Sequence, residues 1–232
     1  MTRNKFTVVG GGPVGSLLAI LLARHGYDVG LYEGRPDSRV TNIYQGKSIN
    51  IALSDRGWHS LEQIGISADA KADAIPMYHR AIHGLDGELS ALPYGNEGDA
   101  IWSVSRGGIN EQLLDVAASE PKVDAHFEHR LVDVDFETAS AEFQVQGEHE
   151  VAIDADYLFG ADGAHSKVRR LAHDLPRFSY SQEYMPQSYI ELHIPANPDG
   201  SHKLEKNALH IWPRKHIMLI ALPNPDGTFT FT

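Results

Sequence analysis

The chain has 232 residues, of which 42% are hydrophobic and 22% charged, proportions that are typical of a globular protein. Its formal net charge is −11 and it contains no cluster of Lys and Arg. This argues against nucleic acid as a partner, because neutralising phosphates requires clustered cations. The absence of cysteine excludes disulfides, thiolate catalysis and zinc–thiolate sites, and it is consistent with a cytoplasmic location.

The N-terminal stretch predicts a strand, a turn, a helix and a second strand. Phe6–Val9 form a short apolar strand, and Asp28–Tyr32 form another after a helix rich in Leu, Ile and Ala. In the turn, Gly10, Gly12 and Gly15 complete the pattern G-x-G-x-x-G. The first glycine permits a tight turn, the second lets a pyrophosphate approach the backbone, and the third lets the helix pack closely on the strand.

An acidic residue completes this pattern. Glu33 ends the second strand, where its carboxylate would accept hydrogen bonds from the ribose hydroxyls of an adenine nucleotide. Arg35 in the following turn would face the phosphate or the ribose, and a solvated surface position is an equal alternative. A signal peptide or membrane anchor is the competing interpretation, but adjacent glycines and Pro13 interrupt the apolar run. The pattern predicts a dinucleotide site without separating FAD from NAD(P).

A second glycine motif follows a later strand. The apolar segment that starts at Tyr157 runs into Gly160-Ala161-Asp162-Gly163, and a helix is predicted from about Ser166. Asp162 and Gly163 would therefore bring a carboxylate and backbone amides to a nucleotide. A helix-capping turn without a ligand is the alternative.

The residues between the motifs predict a change to extended structure. Residues 77–94 read as two strands about an Asp-Gly turn, and they carry Arg80 and Tyr94. A strand at 101–105 leads into a helix that starts at Arg106. A cation is unfavourable at a helix N-terminus, so Arg106 is predicted to face an anionic group, with a plain surface position as the alternative.

The sequence does not predict a metal site. It contains no H-E-x-x-H, and its histidines are scattered along predicted strands. His79 and His83 lie four positions apart, but such a pair in a strand is more often solvated than a metal ligand. The chain stops inside a predicted strand at 228–232, which indicates a fragment of a longer protein.

The two glycine motifs together resemble those of the single-component flavoprotein aromatic hydroxylases. GADGAHSKVR at 160–169 is similar to the family pattern D-G-x-x-S-x-V-R. Within the family, the resemblance is greatest to members that hydroxylate L-kynurenine. It extends over essentially the whole chain and rests on five further segments: GKSINIAL (46–53), MYHRAIH (77–83), LPYG (92–95), IWSVSR (101–106) and NALHIWP (207–213).

The resemblance implies a fold, a reaction and a set of site residues. The implied fold is α/β, with a Rossmann-like FAD-binding layer at 1–75 and 100–180 and part of a β-rich substrate region at 76–99 and 181–232. FAD would be reduced by NADPH as co-substrate, and O2 would form a flavin C4a-hydroperoxide that hydroxylates L-kynurenine at position 3. Besides the glycine loop, the residues matching flavin-binding positions are Val14, Glu33, Arg35, Pro36, Ala52, Arg106, Leu131, Asp162 and Gly163.

The resemblance also assigns a pair of substrate-orienting residues. The substrate-binding Arg and Tyr of the family match Arg80 and Tyr94. A guanidinium offers a planar fork to an amino-acid carboxylate, and a Tyr hydroxyl adds a hydrogen bond. Family members are about twice this length, so two alternatives stay open: hydroxylation of another aromatic acid, and a non-catalytic FAD-binding fragment.

Overall fold

The computed structural model describes residues 4–41, 50–145 and 149–232, with the backbone alone at His149. The chain divides into two compact units, which are Met1–Gln45 with Asn110–Gln182, and Gly46–Ile109 with Glu183–Thr232. The domain assignment made from the sequence stays a prediction. It differs from these units in placing residues 46–75 and 100–109 with the nucleotide-binding layer.

The described residues form sixteen strands and five helices, numbered here in chain order. The strands are β1 Lys5–Val9, β2 Asp28–Tyr32, β3 Asn50–Leu53, β4 Ile75–Met77, β5 His79–His83, β6 Leu89–Pro93, β7 Ile101–Ser105, β8 Val123–His126, β9 His129–Asp135, β10 Ser140–Val145, β11 His149–Ile153, β12 Tyr157–Gly160, β13 Leu192–Ile194, β14 Ala208–Arg214, β15 Ile217–Pro223 and β16 Phe229–Phe231. The helices are α1 Pro13–Arg24, α2 Asp55–Ile64, α3 Ser67–Ala72, α4 Arg106–Ser119 and α5 Lys167–Ala172.

The first unit contains a parallel sheet in the order β12-β1-β2-β8. Two parallel neighbours need a crossover, which α1 supplies between β1 and β2. This helix buries Ala19, Ile20 and Ala23, and the central strand β1 buries Val8 and Val9. The α/β class with a Rossmann-like layer is thereby confirmed.

A three-stranded antiparallel sheet, in the order β11-β10-β9, completes the first unit. Its core is aromatic: the rings of Tyr32 and Phe143 stack with centroids 4.4 Å apart. Leu131 and Val134 from β9 join the same buried cluster. Inward-facing side chains of β9 thus cover one face of β2 at Tyr32, its last residue.

The second unit consists mainly of antiparallel pairs. One sheet has the order β3-β7-β4, and the other has six strands in the order β13-β16-β15-β14-β5-β6. In the six-stranded sheet only β5 and β14 run parallel. The amide of Asn50 on β3 donates to the Ser103 hydroxyl (3.0 Å) and to the Pro223 carbonyl oxygen (3.1 Å), which satisfies buried polar groups within this unit.

Most predicted elements of the second unit have the expected bounds. Helix α2 buries Trp58, Leu61 and Ile64 and ends at Gly65, as its spacing predicts. The predicted strand at 188–194 is shorter than expected, because only Leu192–Ile194 pairs with a neighbouring strand. Residues 45–49 of another predicted extended segment lie outside the described residues. None of the described helices is long and apolar enough to cross a membrane.

Candidate functional site

The glycine loop joins β1 to α1, and its three motif glycines have different surroundings. Gly10 has a φ of +108°, and a Cβ atom there would lie 2.5 Å from the carbonyl oxygen of Ala161. A Cβ atom on Gly15 would overlap the carbonyl oxygen of Gly10. At Gly12 a Cβ atom would meet nothing within 4 Å. The fold therefore requires the first and third glycines, whereas the second leaves the room that a pyrophosphate needs.

The N-terminus of α1 adjoins this open space. Pro13 is its first residue, and the Ser16 hydroxyl donates to the Gly11 carbonyl oxygen at 3.2 Å. The first turn, all of it described, contains no acidic residue, so the positive end of the helix dipole is not offset there. Val14 in this turn is 71% exposed. The backbone amides of a helix start, its positive potential and the open space fit the pyrophosphate of a dinucleotide such as FAD.

Glu33 lies at the end of β2 and is 9% exposed. Its Oε2 accepts a hydrogen bond from the Gly11 N–H at 2.8 Å and another from Arg35 Nη2 at 3.2 Å. Its Oε1 accepts from the backbone N–H and the Nε of Arg35, both at 2.9 Å. Burial raises the pKa of the Glu33 carboxyl, but these hydrogen bonds and the Arg35 charge outweigh burial and leave it below its ordinary value. The group is therefore a carboxylate at neutral pH.

Four donors fill the lone-pair positions of the Glu33 carboxylate. A ribose hydroxyl that binds Glu33 must therefore replace one of them. The side chain of Arg35 is 53% exposed, whereas the Gly11 N–H is fixed in the backbone. The Arg35 guanidinium is therefore the more exposed of the donors that bind the Glu33 carboxylate.

The carboxylate of Asp162 makes its contacts within its own turn. Oδ1 accepts from the Ser166 hydroxyl at 2.6 Å, and Oδ2 accepts from the backbone N–H groups of Lys167 (2.6 Å) and Val168 (3.1 Å). These are the contacts of the helix-capping alternative, since they satisfy amides at the start of α5. A contact between Asp162 and a nucleotide stays a prediction.

The turn that contains Asp162 is nevertheless next to the first glycine motif. The Ala161 N–H donates to the Val9 carbonyl oxygen at 2.7 Å, immediately before Gly10. Gly163 is exposed and has a φ of +77°, a conformation that favours glycine. Both motifs therefore meet at the carboxyl ends of adjacent parallel strands, the usual position of ligands in such sheets.

The other predicted flavin residues of the first unit have contrasting environments. The side chain of Leu131 is 8% exposed and packs in the core beside Tyr32 and Phe143. Pro36 borders a small cavity together with Glu33. The structure thus groups Pro36 with Glu33 and places the side chain of Leu131 in the hydrophobic core.

The two predicted substrate residues meet in the second unit. Arg80 lies on β5, and Tyr94 directly follows β6, its hairpin partner. The guanidinium carbon of Arg80 is 4.0 Å from the centroid of the Tyr94 ring, a cation–π contact. Among the described residues Arg80 makes no ion pair with a carboxylate. Stacking fixes the guanidinium plane and leaves its N–H groups for an anionic ligand.

The hydroxyl of Tyr94 is buried and has no hydrogen-bond partner among the described residues. Burial raises the pKa of the Tyr94 hydroxyl, and the Arg80 charge offsets part of that rise. The group is therefore a neutral O–H donor at physiological pH. A buried unpaired hydroxyl costs stability, so its position beside a cation suits a ligand that accepts a hydrogen bond.

Ala52 and Arg106 belong to the second unit but do not join this pair. Ala52 is exposed on β3 opposite Ser103, and Arg106 is exposed at the first position of α4. The Ser105 hydroxyl accepts from the Gly108 N–H at 3.1 Å, so the helix start has its own cap. The assignment of Ala52 and Arg106 to flavin binding stays a prediction.

Sequence reasoning missed a histidine pair formed across 127 residues. His83 Nε2 lies 2.9 Å from Nδ1 of His210, whose Nε2 lies 2.9 Å from the Glu205 carbonyl oxygen. A carbonyl only accepts, so His210 carries its proton on Nε2 and accepts at Nδ1 from the His83 N–H. His83 also stacks on Trp212 at 4.1 Å. These residues come together only through the parallel pairing of β5 with β14. No local sequence pattern predicts that pairing.

The sequence profile of one protein family, described as an FAD binding domain, matches residues 4–220. The chain belongs to this family. FAD is accordingly its cofactor, in agreement with the open glycine loop and the buried Glu33 carboxylate. No group of three or more His, Asp or Glu side chains within the described part of this FAD binding domain is placed to hold a metal ion.

Curated relatives of this FAD binding domain share a name. Kynurenine 3-monooxygenase of Flavobacterium johnsoniae is 46% identical over 100% of the chain, and that of Drosophila melanogaster is 43% identical over 99%. The match covers 51% and 50% of the two relatives. The chain thus spans about half the length of the curated relatives it matches.

Solved structures show the same fold at low identity. A p-nitrophenol 4-monooxygenase from Pseudomonas putida superposes with a TM-score of 0.82 at 16% identity, covering 99% of this chain and 57% of the other. The flavin-dependent halogenase CmlS gives a TM-score of 0.73 at 20% identity, covering 100% and 41%. Because hydroxylation and halogenation occur on one architecture, these matches establish the fold and leave the reaction to the site residues.

Proposed function

We propose that this chain is the FAD-binding and carboxylate-recognising part of a flavoprotein aromatic monooxygenase that converts L-kynurenine to its 3-hydroxy derivative in the cytoplasm. The observation that carries the proposal is the 42–46% identity to kynurenine 3-monooxygenases across nearly the whole chain. The stacked Arg80–Tyr94 pair supports it with a binding site suited to an amino acid.

The proposed reaction replaces an aromatic C–H bond by C–OH. One atom of O2 enters the ring and the other leaves as water, while NADPH and a proton supply the two electrons and complete the two hydrogens of that water. Bound FAD would supply the electron-transfer and oxygen chemistry. The chain's own residues have the remaining tasks, which are to bind, to orient the ring and to exclude water.

The residues beside Arg80 indicate the kind of substrate. In the sheet register Arg80 is paired with Leu209 on one side and with Leu92 on the other. Paired residues project from the same face of a sheet, so the Arg80 side chain leaves the sheet between those of two leucines. Leu92 is 51% exposed. A cation flanked by accessible apolar side chains suits a carboxylate attached to an apolar or aromatic body.

One alternative shares these features. Any aromatic carboxylic acid presents the same anion and ring, so a hydroxylase of a different aromatic acid is the second candidate. The observation that favours it is that nothing in the Arg80–Tyr94 contact is specific to an amino acid.

The first experiment is a visible absorption spectrum of the purified chain after incubation with FAD and gel filtration. Co-eluting flavin is expected, because the glycine loop and Glu33 form within one unit. Titration with L-kynurenine and, separately, with 4-hydroxybenzoate then distinguishes the two substrates by quenching of flavin fluorescence. Binding of the benzoate alone would replace kynurenine by the second candidate, and a folded chain that retains no flavin would contradict the proposal.

Arg80 offers a direct test of substrate binding. Arg80→Ala is expected to weaken kynurenine binding by about 2 to 4 kcal/mol, because it removes one partner of a desolvated ion pair. Arg80→Lys keeps the charge without the fork and should give an intermediate loss. Arg56→Ala removes an exposed arginine of α2 and should leave the affinity unchanged. Equal affinities for all four proteins in calorimetry would remove Arg80 from the site.

A further inference from the structure

A small cavity of about 10 Å³ lies beside Gly11 and Glu33 in the first unit. Gly11 and Glu33 border it together with Ser38 and Asn110. A space of this size admits one polar heavy atom and excludes a ring. The cavity is therefore an extension of the site around Glu33.

Two polar atoms at this cavity are buried without partners. Among the described residues neither the Ser38 hydroxyl nor the Asn110 side-chain oxygen has a hydrogen-bond partner. Asn110 is 3% exposed, so solvent does not compensate. A buried polar atom without a hydrogen-bond partner destabilises the fold, and native proteins keep few of them. Two of them beside one cavity indicate a bound group that completes their hydrogen bonds.

The chemistry of the cavity defines that group. The Asn110 oxygen accepts hydrogen bonds, and the Ser38 hydroxyl both donates and accepts. The nearby Glu33 carboxylate is already supplied with four donors. The missing partner is consequently a single small donor such as a hydroxyl group.

We propose that Ser38 and Asn110 form a subsite that binds a ribose hydroxyl of the FAD adenosine beside Glu33. This inference rests on the proposed binding of FAD and adds two residues to the cofactor site. An enclosed water molecule has the same hydrogen-bonding chemistry as a ribose hydroxyl. The two alternatives, ribose hydroxyl and water, predict opposite effects of substituting these residues.

The test compares the stability of the FAD-free chain with its affinity for FAD. Asn110→Leu is nearly isosteric and removes the unpaired oxygen, so it is expected to raise the melting temperature of the FAD-free chain. The same substitution should weaken FAD binding at least tenfold, measured by quenching of flavin fluorescence. Ser38→Ala should act in the same direction with a smaller effect. A water molecule would give the reverse pattern, a lower melting temperature with unchanged FAD affinity, and would overturn the proposal.

Thr7→Val is the matched control. The Thr7 hydroxyl is also buried without a described partner, but Thr7 lies on β1 and does not border the cavity. Its replacement should raise the melting temperature and leave FAD affinity unchanged. A tenfold loss of FAD affinity in this control would show that removal of any buried hydroxyl disturbs the unit, and would overturn the assignment.

Nucleotide competitors identify the ribose directly. ADP should displace FAD from the unsubstituted chain more effectively than 2′-deoxy-ADP or 3′-deoxy-ADP, whichever lacks the bound hydroxyl. This preference should be severalfold smaller in Asn110→Leu, in which Glu33 is still present. A preference of unchanged size in the variant would overturn the subsite while leaving FAD binding intact. An unsubstituted chain that binds no FAD would overturn the proposed function as well, so the two failures are distinguishable.

Discussion

The two units satisfy their buried polar groups in different ways. At Glu33 and Asp162 of the first unit the partners are close in sequence: Glu33 bonds to residues 22 and 2 positions away, and Asp162 to residues 4 to 6 away. In the second unit the partners are distant, 127 residues for His83 with His210 and 173 for Asn50 with Pro223. Turns and helix starts provide the hydrogen bonds between residues close in sequence. The hydrogen bonds between distant residues form only when the sheet is complete.

This contrast has a physical origin. A G-x-G-x-x-G turn fixes the backbone within six residues, so its amides are positioned before distant contacts form. A parallel pair such as β5 and β14 has no local turn and must overcome the entropy of closing a long loop. The first unit should therefore be most sensitive to changes in one loop, and the second to changes at strand pairings.

The largest expected effect is that of Gly15→Ala. The new Cβ atom would overlap the Gly10 carbonyl oxygen, and because the obstacle is backbone it cannot turn aside. We expect a loss of about 3 kcal/mol or more in the free energy of unfolding, measured by urea denaturation. Gly12→Ala is the matched control, since its Cβ atom points into open space at an ordinary φ of −75°.

The control variant separates folding from binding. Gly12→Ala should change the free energy of unfolding by less than about 1 kcal/mol, because alanine is only a poorer N-cap than glycine. It should nevertheless lose FAD, because the methyl group occupies the space for the pyrophosphate. Equal stability losses in both variants would contradict the different roles given to the two glycines.

A smaller effect is expected from the histidine pair. The pKa of His210 is lowered by burial, and that of His83 is lowered by burial and by the nearby charges of His210 and Arg214. The unfolded chain therefore takes up protons first as the pH falls below about 6.5. The stability contributed by the neutral pair is present above that pH and is lost below it.

His83→Gln tests this pH dependence, since glutamine keeps an N–H donor for His210 without titrating itself. We expect the unsubstituted chain to lose on the order of 1 kcal/mol between pH 7.5 and 5.5, about the worth of one hydrogen bond. The loss should be smaller in His83→Gln, with tryptophan fluorescence in urea as the readout. His59→Gln on the exposed face of α2 is the control and should retain the full loss. Identical curves for all three proteins would show that the pair does not govern the dependence.

The smallest effect is expected for a distant contact on the surface of the first unit. Lys122 donates to Asp28 at 2.9 Å across 94 residues, but the two side chains are 44% and 65% exposed. Lys122→Ala should cost less than about 0.5 kcal/mol in thermal denaturation, because solvent screens exposed ion pairs. A loss of stability above 1 kcal/mol would show that the sequence separation of an ion pair affects its contribution to stability independently of burial.

Local patterns in the sequence were sufficient to predict much of the secondary structure of the first unit. The strand bounds Asp28–Tyr32, the three glycines and the terminal position of Glu33 follow from periodicity and turn chemistry. Helix α2 of the second unit could be predicted equally well from the sequence. Its buried residues repeat every three to four positions, and Ser54 and Gly65 flank it. In these cases neighbours in sequence are neighbours in space.

At other positions the sequence did not determine which residues pair or where a strand begins. It offered His79 and His83 as a pair, but His83 is bonded to His210 instead. It predicted extended structure only from Met77 and not at Ile75 and Pro76, where β4 begins, because a short segment containing proline has no usable periodicity.

By itself the sequence therefore determined the glycine loop, the position of Glu33 at the end of β2 and the α/β class, because these depend on backbone chemistry within a few residues. Tertiary structure alone decided that Arg80 stacks on Tyr94, that Asn110 and Ser38 border one cavity, and that β5 pairs with β14. The physical reason is that these contacts join segments whose hydrophobic patterns are compatible with several partners. The choice among partners is made by packing and burial in the assembled sheet.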